Sequence, residues 1–225
     1  MARNSRGSAS VALRMSPETT QVEVWSDIAC PWCFIGKARF TAALEQFDRR
    51  DRVEVIWRSY QLSPDTEVGA RERELDALVR MKGMSPIQVK GMFEQVAATA
   101  KADGLEIDFD TVVAANTFDA HRLVHIARMQ GLADEMLAAL FAAHFSDGRI
   151  VDDVDVLVAI AEEVGVHGAA QALADGQGAD EVAADIAAAR ELQVSGVPLF
   201  AADRRIAVSG AQPVDVFLQF LDQAV

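Results

Sequence analysis

Two cysteines with two residues between them, Cys30 and Cys33, constrain this chain more than any other feature of its sequence. The alternating residues Val22–Trp25 predict a β-strand shortly before the pair. Pro31 suits the first turn of a helix, because the N–H that proline lacks has no partner there. A cysteine at such a junction lies near free helix N–H groups and the positive end of the helix dipole, which stabilise its thiolate. Cys33 follows one turn later, close enough to form a disulfide, and this spacing is typical of thiol–disulfide exchange.

Two other interpretations of the pair stay open from these residues alone. Cys30 and Cys33 could form half of a zinc site, with His121 and His125 as an i, i+4 pair on a helix. Zinc modules usually separate their ligand pairs by about 12–20 residues, and here the separation is 121 − 33 = 88 residues. The second alternative is a pair of inert buried cysteines. The strand–CxxC–helix context favours exchange chemistry, and we predict no metal site.

Charge and hydropathy disfavour several classes of protein. The chain carries 21 Lys and Arg against 34 Asp and Glu, a net charge of −13. Nucleic acids and anionic membranes bind basic surfaces, so neither is an expected partner. The longest unbroken apolar run, Met136–Ala143, has eight residues, whereas a membrane span needs about 20. Two cysteines in 225 residues also do not make a disulfide-rich secreted scaffold.

The first 20 residues predict a flexible leader. They are rich in Ser, Arg and Ala, and they lack the continuous apolar stretch of a secretory signal. Without an export signal we expect the protein to be cytoplasmic.

Hydrophobic periodicity divides the rest of the chain into a β-α-β opening, a helical block and an α-β-β-α end. The first helix is predicted to reach about Asp48, and a second strand over Val53–Tyr60 should pair parallel to the first. Ser85 and Pro86 predict a helix start, as N-cap and first helical residue. Later elements are predicted as helices over 116–130, 133–145, 154–164, 167–174 and 179–192, strands over 198–201 and 206–208, and a last helix from Pro213.

Two finer expectations concern the helical block. Asp108 or Asp110 is a candidate cap for a further helix, because aspartate is favoured at that position. Met81, Met84 and Met92 are expected in the core, since methionines at helical spacing usually fill gaps there.

Four segments that follow one another along the chain carry a family resemblance. They are WSDIACPWCFIG at 25–36, NTFDAHRL at 116–123, SGVPLF at 195–200 and VSGAQ at 208–212. In that order they resemble the active-site segment, the helical-domain signature, the cis-proline loop and the segment before the last helix of DsbA-like thioredoxin-fold oxidoreductases, specifically the FrnE group. Four ordered motifs are far more specific than a lone CxxC.

The resemblance implies an α/β protein with a thioredoxin fold and a large inserted α-helical domain. The thioredoxin-like domain would comprise residues 21–63 and 179–225, and the inserted domain residues 64–178. The resemblance further implies that Cys30 is the attacking thiol and Cys33 the resolving one.

The resemblance also implies supporting groups around the two cysteines. Pro31 and Trp32 lie between them, and the Val197–Pro198 peptide bond would be cis and lie beside the disulfide. The expected substrate is a protein or small-molecule disulfide or thiol. No cofactor is expected apart from the redox-active disulfide itself, with glutathione as a candidate reductant.

Three further residues are candidates for a substrate cleft, namely Asn116, His121 and Gln212. A histidine on a helix can equally be a bystander that makes a single hydrogen bond, so His121 has two interpretations.

A sister group with the same architecture provides the alternative function, that of a glutathione-dependent isomerase or transferase. It comprises the kappa-class transferases and the hydroxychromene-carboxylate isomerases, which typically have Ser at the first active-site position and lack the second cysteine. They also tend to carry an acidic residue after the glycine near the last helix. This chain has Cys30, Cys33 and the segment Gly210-Ala211-Gln212 at these places. The departures favour dithiol redox chemistry.

Overall fold

The computed structural model describes residues 19–225. Residues 1–18 of the predicted leader lie outside the described residues, and Thr20 is already the first residue of a strand. The strands are β1 (Thr20–Ser26), β2 (Val53–Ser59), β3 (Leu199–Ala202) and β4 (Ile206–Ser209), and a short 3-10 turn at Arg50–Arg52 precedes β2. The helices are α1 (Pro31–Gln46), α2 (Glu74–Lys82), α3 (Pro86–Ala102), α4 (Phe118–Arg128), α5 (Ala133–Phe145), α6 (Val154–Val164), α7 (Ala169–Ala174), α8 (Ala179–Glu191) and α9 (Val214–Ala224).

The four strands form one sheet in the order β2-β1-β3-β4. β1 and β2 are parallel, which confirms the β-α-β prediction, whereas β1–β3 and β3–β4 are antiparallel. In this register Val24 of β1 lies between Trp57 of β2 and Phe200 of β3. The central position of β1 matters for function, because the cysteine pair follows at its carboxyl end. The architecture is the α/β fold with a helical insertion that the resemblance implied.

The helical insertion comprises α2 to α7, and its helices α4 to α7 share one apolar core with the sheet. Phe34 of α1 stacks on Phe141 and Phe145 of α5, with ring centroids 5.4 and 5.9 Å apart. A single cluster of buried residues extends from Val24 on β1 to Leu157 on α6. Packing of this kind holds the insertion rigidly against the helix that carries the cysteines. Among residues 19–225, no helix has the length and apolar character needed to cross a membrane.

Local sequence signals account for one end each of α3 and α6. Ser85 and Gln88 form a reciprocal capping box at the start of α3, as expected from Ser85 before Pro86. Gly165 ends α6 in the left-handed conformation, with a φ of 90°.

The helix expected after Asp108 or Asp110 is wrong. Asp108 instead closes a tight turn, in which its carboxylate accepts from the Asp110 N–H at 3.1 Å. Apolar residues on both sides of Asp108 pack against the core at every second position, namely Leu105, Ile107 and Phe109. This is the period of an extended chain.

The core position expected for the methionines is also wrong, and Met84 is only half-buried and lies outside the apolar clusters of the described residues. Met81 and Met92 are exposed, because α2 and α3 lie at the outer edge of the insertion and turn only a narrow apolar face inward.

One buried histidine in the insertion has no polar partner. His144 of α5 packs edge-on against Phe145 with centroids 4.6 Å apart, and neither ring nitrogen forms a hydrogen bond within the described residues. Burial lowers the pKa of His144 to about 4, although the charges of Asp27 and Asp152 act to raise it. The folded protein therefore holds this ring neutral at pH 7.

Replacing His144 with Leu is expected to remove part of the acid sensitivity of the fold. In the unfolded chain the ring takes up a proton near pH 6.5, whereas the folded ring does so only near pH 4. The stability that the neutral His144 ring gives the folded protein is complete above pH 6.5. As the pH falls towards 4, the free energy of unfolding decreases by about 3 kcal/mol on its account. Urea titrations should show the unfolding free energy of wild type minus His144→Leu falling by that amount between pH 7 and pH 4.

Glu74 also changes its contribution to stability over this pH range, so the effect of His144 has to be measured as a difference between wild type and a variant. Burial, with the charges of Asp27 and Glu72, raises the pKa of Glu74 to about 7, so this group favours the folded state as the pH falls. Glu74→Gln serves as the control and should leave the His144 difference unchanged. A difference that stays constant from pH 7 to pH 4 would contradict a neutral buried histidine.

Candidate active site

Cys30 is the N-cap residue of α1, with φ −97° and ψ 110°, and Pro31 is the first helical residue. The Cys30 backbone N–H donates to the Asp27 carbonyl at 3.0 Å, and the Cys30 carbonyl accepts from the Cys33 N–H at 2.9 Å. The first turn of α1 carries no acidic residue. The Cys30 side chain makes no capping hydrogen bond, so the helix acts on its sulfur through the dipole, without an opposing carboxylate in that turn.

The two sulfurs are free thiols in different surroundings. Both are buried, with 4% of Cys30 and 1% of Cys33 exposed. Burial raises the pKa of the Cys33 thiol well above its ordinary value, and the neighbouring Cys30 sulfur raises it further. Both effects disfavour ionisation of Cys33.

The loop before β3 faces the first cysteine. The Val197–Pro198 peptide bond is cis, and the Val197 carbonyl oxygen lies 3.7 Å from the Cys30 Sγ. Gly36, one turn beyond Cys33, allows this approach, because a Cβ there would lie 2.9 Å from the Pro198 ring. The sequence segment that carried the resemblance contained Gly36, but its role depends on a contact with a residue far along the chain.

Asp27 is a functional residue that sequence reasoning missed. Its buried carboxylate accepts from the Leu62 N–H at 2.7 Å, and its other oxygen lies 3.4 Å from His121 Nε2. Burial alone would raise the pKa of Asp27, but the hydrogen bond and charge of His121 and the Leu62 N–H outweigh it and lower the pKa. A buried ionised carboxylate thus lies three residues before Cys30.

Two of the three candidate cleft residues brace the segment that follows β2. His121 of α4 is buried, and its Nε2 lies 2.9 Å from the Tyr60 carbonyl oxygen, so this nitrogen carries the proton. Asn116 donates to the carbonyls of Pro64 and Thr66 at 3.2 and 2.9 Å. The side-chain nitrogens of both residues are therefore used in hydrogen bonds to backbone carbonyls of the protein.

Gln212 lies elsewhere, in the turn between β4 and α9. Its Nε2 donates to the Ser209 carbonyl at 2.7 Å. The adjacent Gly210 N–H donates to the Pro198 carbonyl at 2.8 Å, which ties this turn to the cis-proline loop. Trp32 is the exposed member of the cysteine segment, with 38% of its surface accessible.

The second histidine of the zinc interpretation faces different partners. His125 lies 3.1 Å from both the Asp185 carboxylate and the Ser59 hydroxyl. In residues 19–225, no group of three or more His, Cys, Asp or Glu side chains gathers as a metal site would require.

Several known proteins resemble this chain in sequence or in fold. The family described as "DSBA-like thioredoxin domain" matches residues 21–222. The probable DsbA oxidoreductase SCO1869 from Streptomyces coelicolor is 42% identical, and its crystal structure aligns with a TM-score of 0.86 over 91% of this chain and 89% of its own. The uncharacterized protein YwbO from Bacillus subtilis (strain 168) is 31% identical over 153 residues, which are 68% of this chain and 70% of YwbO.

A more distant structure shares the fold. The cytosolic disulfide reductase DsbM from Pseudomonas aeruginosa, in a structure with GSH, is 21% identical, with a TM-score of 0.65 over 90% of this chain and 98% of its own. The thioredoxin fold with a helical insertion is thus shared with the SCO1869 and DsbM structures.

Removing the buried carboxylate should destabilise the protein strongly. Asp27→Ala leaves the buried Leu62 N–H without its acceptor and removes the longer contact of His121 Nε2, which keeps the Tyr60 carbonyl. Unpaired buried donors are unfavourable, so we expect a loss of about 3 kcal/mol in the free energy of unfolding, measured by urea titration at pH 7. Asp27→Asn keeps one acceptor oxygen and should lose less.

Asp222→Ala is the matched control, because it removes an aspartate whose pair with Arg49 is exposed to solvent. Its loss should stay below about 1 kcal/mol. Equal losses in Asp27→Ala and Asp222→Ala would refute the bracing role of Asp27.

Proposed function

The chain belongs to the DSBA-like thioredoxin domain family, and on this premise we propose that it is a thiol–disulfide oxidoreductase in which Cys30 attacks and Cys33 resolves. One observation carries the proposal. Cys30 caps the N-terminus of α1 next to the Val197 carbonyl, while Cys33 lies one turn deeper and is more fully buried.

The proposed reaction is two successive thiol–disulfide exchanges. The Cys30 thiolate attacks one sulfur of a substrate disulfide, forms a mixed disulfide and releases the other substrate sulfur as a thiolate, which takes a proton from water. Cys33 then loses its proton and attacks the Cys30 sulfur. The Cys30–Cys33 disulfide forms and the second substrate thiol leaves. Two electrons pass from the cysteine pair to the substrate, and the reverse sequence oxidises a substrate dithiol.

The order of attack follows from the difference between the two sulfurs. The nucleophile in exchange is the thiolate. Cys30 lies at the positive end of the α1 dipole, whereas burial raises the pKa of Cys33. Cys33 becomes the better-placed nucleophile only after the mixed disulfide fixes a target one turn away.

The substrate class is a protein or small-molecule disulfide. Trp32 and Leu62 support this, because both expose apolar surface, Trp32 between the two cysteines and Leu62 where its N–H meets Asp27. We extend the proposal to a cytosolic enzyme of the FrnE group with isomerase-like activity and glutathione as a candidate reductant. The likeness to DsbM, a cytosolic disulfide reductase whose structure was determined with GSH, supports this extension by analogy.

Two single substitutions should separate the roles of the cysteines. Cys30→Ser is expected to reduce dithiothreitol-driven insulin reduction to the level of the Cys30→Ser/Cys33→Ser double variant, because no thiolate then opens the substrate disulfide. Cys33→Ser should still attack but fail to resolve, so mixed disulfides with insulin should accumulate on a non-reducing gel.

The double variant is the control for uncatalysed reduction. Full activity in Cys30→Ser would contradict the assignment. Activity that survives Cys33→Ser but requires glutathione would favour the isomerase or transferase alternative.

A further inference from the structure

The turn between β4 and α9 is held to helix α1 by an arginine that takes no part in the proposed exchange of disulfides. Arg39 Nη1 donates to the Ala211 carbonyl at 2.6 Å, and its Nε donates to the Asp103 carboxylate at 2.8 Å. Asp103 is the C-cap residue of α3, so one guanidinium connects α1, the insertion and this turn. The Arg39 side chain is 17% exposed and that of Asp103 24%, so solvent screens their contact less than it screens a surface pair.

The contacts continue from this turn to the cis-proline loop. The Gly210 N–H, next to Ala211, donates to the Pro198 carbonyl at 2.8 Å. In the same loop, the Val197 carbonyl oxygen lies 3.7 Å from the Cys30 Sγ. Consecutive residues and hydrogen bonds therefore connect the Arg39 guanidinium to the backbone that faces the first cysteine.

The same region of α1 also packs directly against this loop and turn. Gly36 precedes Arg39 by three residues, which places both on one face of the helix. A Cβ at Gly36 would lie 2.9 Å from the Pro198 ring and 3.6 Å from the Ala211 Cα. The backbone of α1 thus meets the loop and the turn closely, and Arg39 adds a hydrogen bond beside that apolar contact.

We propose that Arg39 is a positioning residue, which fixes the 209–212 turn and through it holds the Val197–Pro198 loop against Cys30. This inference rests on the proposed function. A substrate disulfide has to reach the Cys30 sulfur beside this loop, so the position of the loop affects the geometry of attack. A displacement of about 1 Å at a reacting centre can change a rate by about 10²-fold.

A guanidinium suits this task better than a lysine ammonium. Its N–H groups point in fixed directions, so Arg39 meets a carboxylate of the insertion and a carbonyl of the turn at the same time. Its charge also lies next to the C-cap residue of α3, where the helix dipole favours a cation. One side chain of α1 thereby links the insertion to the cis-proline loop.

Three measurements on Arg39→Ala in the reduced full chain at pH 7 test the proposal. The Gly210 amide should exchange its hydrogen about tenfold faster by nuclear magnetic resonance, because its bond to the Pro198 carbonyl opens more often. Insulin reduction with dithiothreitol should slow about fivefold, because the loop no longer orients the substrate. Alkylation of the 4%-exposed Cys30 by iodoacetamide, which needs only access to the sulfur, should become about fivefold faster.

Arg49→Ala is the matched control, because Arg49 follows the same helix and its pair with Asp222 is exposed to solvent. All three readouts should stay within about twofold of wild type. Asp103→Ala leaves Arg39 with the Ala211 carbonyl alone, and it should shift each readout about threefold in the same direction as Arg39→Ala. If Arg39→Ala does not fold, Asp103→Ala makes the comparison.

The outcomes separate this proposal from the proposed function. Any one of the three readouts within about twofold of wild type, or equal changes in Arg49→Ala, would overturn the role of Arg39. Alkylation of Cys33 together with Cys30 would also overturn it, because Arg39 would then only maintain the fold. Failure of the proposed function would appear differently, as insulin reduction that survives in Cys30→Ser while Gly210 exchange still responds to Arg39→Ala.

Discussion

A buried carboxylate must be surrounded by hydrogen-bond donors, and in this protein that requirement fixes the position of the active site. Asp27 lies between the end of β1 and the start of α1, where it accepts the Leu62 N–H and faces His121 of the insertion. These two donors come from separate parts of the chain, both distant in sequence from Asp27. Because an ionised carboxylate is tolerated inside a protein only when its partners are in place, the loop that presents Cys30 cannot move independently of the insertion.

Within this frame the two cysteines differ in their surroundings, although only two residues separate them. Cys30 caps a helix and faces the Val197 carbonyl, whereas Cys33 is enclosed by the end of β1 and the core. The proposed division into attacking and resolving thiols rests on this difference in surroundings.

Much of this architecture could be predicted because its signals are local. The parallel β1–β2 pair, the Ser85 capping box and the bounds of α5 and α6 follow from periodicity and capping residues that are close in sequence. The helix predicted after Asp108 or Asp110 is wrong because an aspartate that closes a turn and one that caps a helix look alike in sequence.

The parts of the site that could not be predicted depend on contacts between distant residues. Asp27 and Ser26 lie in the segment that carries the family resemblance. Nothing local in that segment shows that Asp27 gathers donors from residues 62 and 121, or that the Ser26 hydroxyl has no hydrogen-bond partner among the described residues. His121 was singled out as a cleft residue, yet its ring is committed to the Tyr60 carbonyl. The exposed Met81 and Met92 similarly depend on where the insertion meets solvent, which periodicity does not encode.

The central claim is that the fold makes Cys30 the reactive thiol and holds Cys33 protonated. Alkylation of the reduced full chain with iodoacetamide across a pH series, with each site quantified by mass spectrometry, tests it most directly. We expect Cys30 to be modified at neutral pH and Cys33 to remain unmodified until the pH is well above the ordinary range of a thiol. Equal modification of the two cysteines at neutral pH, or modification of Cys33 first, would contradict the account.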